Sequence, residues 1–324
     1  MSPAGRFQKK MFKLENISKV YKIGTFGGKE LVAVDDVSFD INTGEVIALI
    51  GESGSGKTTI GKMILRLIDI SSGKILFNGK DISKNKSREL KEYYRNVQGV
   101  FQDPFSSINP IFKADRIFET IKVEFYKDVP PFEWNNKINE ALLRVGLNPE
   151  HILDKYPHQL SGGQLQRFLI ARALLLDIDF LVADEIISML DASTRIDVLN
   201  LLADLREAGL SILFITHDLS LGYYISDKTV ILYKGRIAEI GKTEKVFNNP
   251  LHPYTRMLLE SVPQINKRWD QKLVSFKKTT IEPSNGCVYY DRCTHPKKNE
   301  QCLDRKPGLL EIEKDHFVNC WHIK

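Results

Sequence analysis

The chain has 324 residues, 42% of them hydrophobic, enough for a large buried core in two domains or in one domain with an appendage. A net charge of +5 is too mild to argue for nucleic acid as a partner. Residues 1–10 lack the apolar core of a secretory signal, and the longest apolar run, Phe168–Leu176, is broken by Arg172, so a soluble, cytoplasmic chain without a membrane span is expected.

In chain order, residues 11–50 read as short strands. Leu14, Ile17 and Val20 precede a glycine-rich turn at Gly24–Gly28, after which 31–34 and 37–41 alternate in the β manner. Such a sheet can cover one side of a ligand. Tyr21 offers a ring either for stacking on adenine or for packing at a strand end. Val46–Ile50 is then an apolar run typical of a buried strand, and Gly51-Glu52-Ser53-Gly54-Ser55-Gly56-Lys57-Thr58-Thr59 follows it, fitting G-x-x-x-x-G-K-[ST]. Glycines at these positions let successive N–H groups turn inward around an anion. Lys57 is placed to reach β- and γ-phosphates, Thr58 to give its hydroxyl to Mg²⁺, and the helix starting near Thr59 to point its positive end at them. An accidental glycine turn would lack this strand before it and helix after it.

The helix continues to about Leu67, and Lys74–Lys80 reads as a hairpin through Asn78-Gly79. Residues 84–95 are a solvated helix face. Val97–Val100 is a strand leading to a turn with Gln102, placed beside the phosphate loop as a candidate for Mg²⁺ or the attacking water, or else a surface glutamine. From Phe105 to Pro157 the periodicity turns helical, with a break at Pro130-Pro131 and a stop at Gly146, which reads as a helical insert in an α/β core.

Directly after the insert stands Leu160-Ser161-Gly162-Gly163-Gln164-Leu165-Gln166-Arg167, which resembles the signature of ATP-binding cassette (ABC) ATPases. Ser161 is suited to cap the helix beginning near Gln164, and Gly162 and Gly163 leave backbone N–H groups open to a γ-phosphate. Phe180–Glu185 is an apolar strand ending in two carboxylates, Ser188–Asp191 is similar to the loop at the family's dimer seam, and Ser211–Asp218 is a strand ending in His217. The resemblance implies that Asp184 serves Mg²⁺, that Glu185 polarises the attacking water, and that His217 contacts the γ-phosphate. Ile186 stands where relatives usually have proline, and little effect is expected from it.

The same resemblance implies an α/β P-loop NTPase cassette over 11–245, with a RecA-like core, an antiparallel β subdomain and a helical subdomain at about 105–175. It also implies a head-to-tail pair of cassettes, each ATP lying between Lys57 of one and Ser161–Gln164 of the other. Asn248–Pro263 and Phe101–Pro110 resemble the ATPase subunits of oligopeptide and dipeptide importers, whose relatives carry peptides, nickel complexes or oligosaccharides. Two permeases, one touching residues near Phe105–Asp115, a second ATPase subunit, an extracellular binding protein and a peripheral place on the cytoplasmic membrane face follow by resemblance. The competing readings are a soluble ABC protein of translation or DNA repair, which usually carries two cassettes or a long coiled coil, and a metal-sensing module.

The extension at 246–324 holds all four cysteines, Cys287, Cys293, Cys302 and Cys320. Their spacings of five, eight and seventeen intervening residues lack the paired C-x-x-C of common zinc sites. Four thiolates suit an iron–sulfur cluster, and the tail resembles importer extensions of which some hold [4Fe–4S]. Zinc with help from His295, His316 or His322, or unligated thiols, are the alternatives. A basic stretch, Lys267-Arg268-Trp269 with Lys272, Lys277 and Lys278, reads as a solvated linker or a lipid-facing patch.

Overall fold

The structure, a computed structural model, describes residues 9–24, 28–262 and 285–323; the basic stretch around Trp269 lies outside them. Two sheets organise the chain. The first is antiparallel, in the order β2-β1-β4-β5, from Lys10–Ile23 (β1), Lys29–Asn42 (β2), Ser72–Phe77 (β4) and Lys80–Asp81 (β5). β1 and β2 are 14 residues each, longer than the short strands expected, because bulges at several registers let one ladder bend without ending. The β4–β5 hairpin turns at Asn78-Gly79, both with positive φ, as the Asn-Gly pair predicts.

The second sheet has eight strands, in the order Leu310–Glu313 (β11), His316–Val318 (β12), Arg236–Lys242 (β10) and then β9-β3-β8-β7-β6. Its parallel part comprises Val97–Val100 (β6), Phe180–Asp184 (β7), Ser211–Thr216 (β8), Val46–Ile50 (β3) and Lys228–Tyr233 (β9). β3, β7 and β8 are buried at every residue, which is why they read as unbroken apolar runs. Period-two alternation divides their side chains. Ile47, Leu49, Val182 and Ile215 face Lys57–Ile64 (α1) and the antiparallel sheet, with Phe12 packed on Phe180. Leu181, Ala183, Ile212 and Phe214 face the opposite layer.

Ser87–Asn96 (α2) lies on the α1 side, its Tyr93 hydroxyl donating to the Ile64 carbonyl at 2.6 Å, whereas the opposite layer holds the helical insert of Arg116–Phe125 (α3), Pro131–Arg144 (α4), Pro149–Ile152 (α5) and Gly162–Leu174 (α6). Ala192–Glu207 (α7) completes it, while Leu219–Ile225 (α8) packs Gly222 on Ile50 of β3. α4 starts on Pro131 and stops at Gly146 in a left-handed conformation, as its sequence predicts. α1 ends at Ile64, short of Leu67, because Arg66 takes a left-handed backbone.

The extension is joined to the core rather than hung from it. After Arg236–Lys242 (β10), Thr243–Asn248 (α9) and Pro253–Glu260 (α10), the chain adds Gln301–Asp304 (α11) and a hairpin of Leu310–Glu313 (β11) and His316–Val318 (β12). β12 pairs antiparallel with β10, extending the large sheet by two strands. Behind it, the Glu239 carboxylate accepts from the N–H groups of Leu251 and His252 and lies 2.7 Å from Nε2 of His316. Glu239 and His316 are both fully buried. No described helix is long and apolar enough to cross a membrane.

Candidate active site

The phosphate loop leaves β3 and enters α1 at Lys57 itself, two residues earlier than expected. Gly54 and Gly56 have φ of +77° and +101°, a region that a side chain strains. A Cβ on Gly56 would stand 2.4 Å from the Ala33 carbonyl oxygen, so the loop lies hard against β2. Ser55 Oγ is buried and, among the described residues, has no hydrogen-bond partner. An inward-turned glycine loop with an orphaned buried hydroxyl fits a phosphate, which can accept from both. The Lys57 ammonium donates to the Gly51 and Glu52 carbonyls at 2.8 and 3.1 Å, and burial pulls its pKa below the ordinary lysine value against the pull of Glu185, Asp184 and Glu52.

β7 delivers the carboxylates. Thr58 Oγ1 donates to Asp184 Oδ1 at 3.2 Å, which brings the two expected Mg²⁺ groups together; burial raises the Asp184 pKa. Oxygen donors of this kind suit a hard divalent cation. Glu185 follows in a left-handed conformation, φ +51°, a placement costing a non-glycine residue about 1–2 kcal/mol. Its Oε1 lies 3.5 Å from Nδ1 of His217, which is 60% exposed at the end of β8. Ile186, in place of proline, is buried in the core.

Gln102 is exposed past the end of β6, the edge strand of the large sheet, which pairs with β7. β8 and β7 stand between β6 and β3, so Gln102 belongs to the Asp184 side of the site. Tyr21 is half-buried near the tip of β1, with the Lys19 ammonium 5.1 Å from its ring centre. Ser161 caps α6, which begins at Gly162: its Oγ accepts from Gln164 N, and the Gln164 side chain accepts from Ser161 N. Gly163 has a second reason to be glycine, since a Cβ there would meet Cγ2 of Thr194 at 2.3 Å. No described hydrogen bond or ion pair joins 161–164 to 51–59.

The thiols Cys287, Cys293, Cys302 and Cys320 line one small cavity with His252, His295 and His322. Burial pushes Cys287 up to about 11 and raises Cys293 and Cys320. Cys302 Sγ is 3.2 Å from Nε2 of His322. The donor set fits a soft metal, although no group of three or more described ligands stands at metal-holding spacing. His316 is absent from this cavity, being bound to Glu239 instead.

Two groups of the extension reach the phosphate loop unannounced by sequence. The Glu52 N–H donates to the Tyr254 hydroxyl at 3.1 Å, and Arg292 donates to both Glu52 carboxylate oxygens at 2.8 and 3.0 Å. Glu52 occupies a variable position of the motif, and its partners lie over 200 residues away, so no local pattern reveals them.

Comparison with known proteins agrees with this geometry. The ABC transporter family matches residues 34–188, and the family described as "Oligopeptide/dipeptide transporter, C-terminal region" matches 238–302. The oligopeptide transport ATP-binding protein OppF of Streptococcus pyogenes serotype M1 is 44% identical over 294 residues, covering 90% of each chain. A Brucella ovis protein named for peptide import ATP binding is 42% identical over 295 residues, covering 90% of this chain and 92% of its own. Among solved structures, the dimeric cassette MJ0796 with ADP and Pi has a TM-score of 0.65 at 28% identity, over 72% of this chain and 99% of that one. cbiO1 of Clostridium perfringens, part of the transporter complex cbiONQ, gives 0.63 at 28% identity, over 75% and 92%.

Proposed function

The chain belongs to the ATP-binding subunits of ABC transporters, within the oligopeptide/dipeptide branch, and from that premise we propose how its groups hydrolyse ATP to drive peptide import. The observation that carries the reading is the meeting of Lys57, Thr58, Asp184, Glu185 and His217 at the ends of three adjacent parallel strands. The N–H groups of 51–56 and Lys57 hold the phosphates. Thr58 and Asp184, with Gln102 beyond them, hold Mg²⁺, which offsets charge on the transferring phosphoryl group. Glu185 orients the attacking water and accepts its proton, and His217, tied to Glu185, contacts the γ-phosphate. Tyr21 stacks on adenine.

The second half of each site comes from another cassette. Ser161, Gly162, Gly163 and Gln164 present the start of α6, whose N–H groups and dipole favour an anion. The cap bonds use the N–H groups of Ser161 and Gln164 and leave the N–H groups of Gly162 and Gly163, together with the Ser161 hydroxyl hydrogen, to donate to the phosphate. ATP thus joins two cassettes head to tail, and hydrolysis releases them. That cycle moves two membrane permeases, fed by an extracellular binding protein, with this subunit peripheral at the cytoplasmic face. Glu185→Gln should bind ATP and accumulate as a stable dimer on gel filtration while turnover falls at least about a hundredfold. Undiminished turnover would contradict the assignment.

The four thiols of the extension are proposed as ligands of a [4Fe–4S] cluster, with zinc as the other metal that such donors accept. Their convergence on one cavity supports this. Anaerobically purified protein should contain about four iron and four sulfide per chain by elemental analysis. One zinc per chain would replace the cluster, and metal-free protein with four titratable thiols would remove the site.

A further inference from the structure

We infer that Arg292 is a positioning residue for the phosphate loop, holding Glu52 and cancelling the one carboxylate that the loop itself carries. The inference rests on the ATP-binding reading above. Glu52 is the only acidic residue in 51–59. Its charge stands beside the place a triphosphate must enter, and its carbonyl already accepts from Lys57 at 3.1 Å. A free carboxylate there would repel the phosphates and compete for the lysine.

The structure ties Glu52 at all three of its polar groups. Its N–H is taken by the Tyr254 hydroxyl, its carbonyl by Lys57, and both carboxylate oxygens by Nη1 of Arg292. Arg292 is itself held. Its guanidinium lies 5.8 and 6.0 Å from the ring centres of Tyr233 and Tyr289, and Nη2 lies 4.0 Å from Met257 Sδ. Tyr233, Tyr254 and Tyr289 pack on one another with centroids 4.6 to 5.4 Å apart, and all three are buried. An exposed ion pair usually contributes little, because two long side chains must be ordered to form it. Here the arginine is already ordered by the aromatic block, so its hold on Glu52 costs less entropy. The effect falls on a loop with glycine at 51, 54 and 56, which is otherwise costly to order.

The test measures ATP and AMP dissociation constants and melting temperature on the full chain, for Arg292→Ala, Arg292→Lys, Glu52→Gln and the double variant Glu52→Gln with Arg292→Ala. Arg292→Ala should weaken ATP about three- to tenfold and leave AMP, which lacks the β- and γ-phosphates, little changed. Arg292→Lys should recover only part of the loss, because an ammonium keeps the charge but not the planar guanidinium's packing on Tyr233 and Tyr289. With Glu52→Gln in place there is no charge to cancel, so removing Arg292 should cost less than half as much on a logarithmic scale. Unchanged ATP affinity in Arg292→Ala would overturn the inference. So would equal weakening of ATP and AMP with a lowered melting temperature, the mark of a purely structural contact. Lys57→Ala serves as the control for the underlying reading: if it binds ATP as tightly as the unaltered chain, the phosphate loop, and not Arg292, has been misassigned.

Discussion

Gly163 and Glu185 show how closely single residues are fitted at the site. Gly163 lets α6 approach α7 until Thr194 fills the space where a side chain would be. Gly163→Ala should therefore destabilise by about 1–3 kcal/mol through overpacking. Removing the opposing methyl with Thr194→Ser should restore most of that loss in thermal melts. If Gly163→Ala is harmless, the contact is looser than it stands. Glu185 keeps a left-handed backbone without being glycine, a cost that persists because β7 and the buried Ile186 fix the chain on either side of it. Its bond from N–H to the Ile215 carbonyl, at 2.9 Å, ties the same residue to β8.

At the scale of elements, the decisive joint is that of β10 with β12. Glu239, His316 and the first turn before α10 form a buried polar knot in which a carboxylate receives two N–H bonds and faces an imidazole. Glu239→Ala strands those donors away from water, and a loss of about 3 kcal/mol is expected. Denaturant melts should show it, with faster proteolysis of the extension than of the core; no change in either would mean the extension is held elsewhere. This joint was not legible in the sequence, whereas much around it was. β3, β7 and β8 announce themselves as apolar runs because both their faces are buried, and the motif residues sit at their ends. His316 offers no such pattern: read as a possible zinc ligand, it serves instead a carboxylate 77 positions away. Gln102 was legible as a strand-end residue, but the place of its strand in the sheet was not, since strand order is set by crossovers that local periodicity does not encode.

For the whole molecule, the phosphate loop, the switch groups and the extension form one continuous body, in which the tail adds strands to the sheet and side chains to the loop. The cassette chemistry was readable because its motifs are short and contiguous, and the contacts of Tyr254 and Arg292 were not because they join distant stretches. The signature residues cap their own helix through a reciprocal pair of bonds between Ser161 and Gln164. The account stands or falls on the company this chain keeps. Affinity purification from native membranes under anaerobic conditions, followed by mass spectrometry, should recover a second cassette and two polytopic permeases. Recovery of ribosomal or DNA-repair proteins in their place would leave the ATPase chemistry intact and contradict the import function.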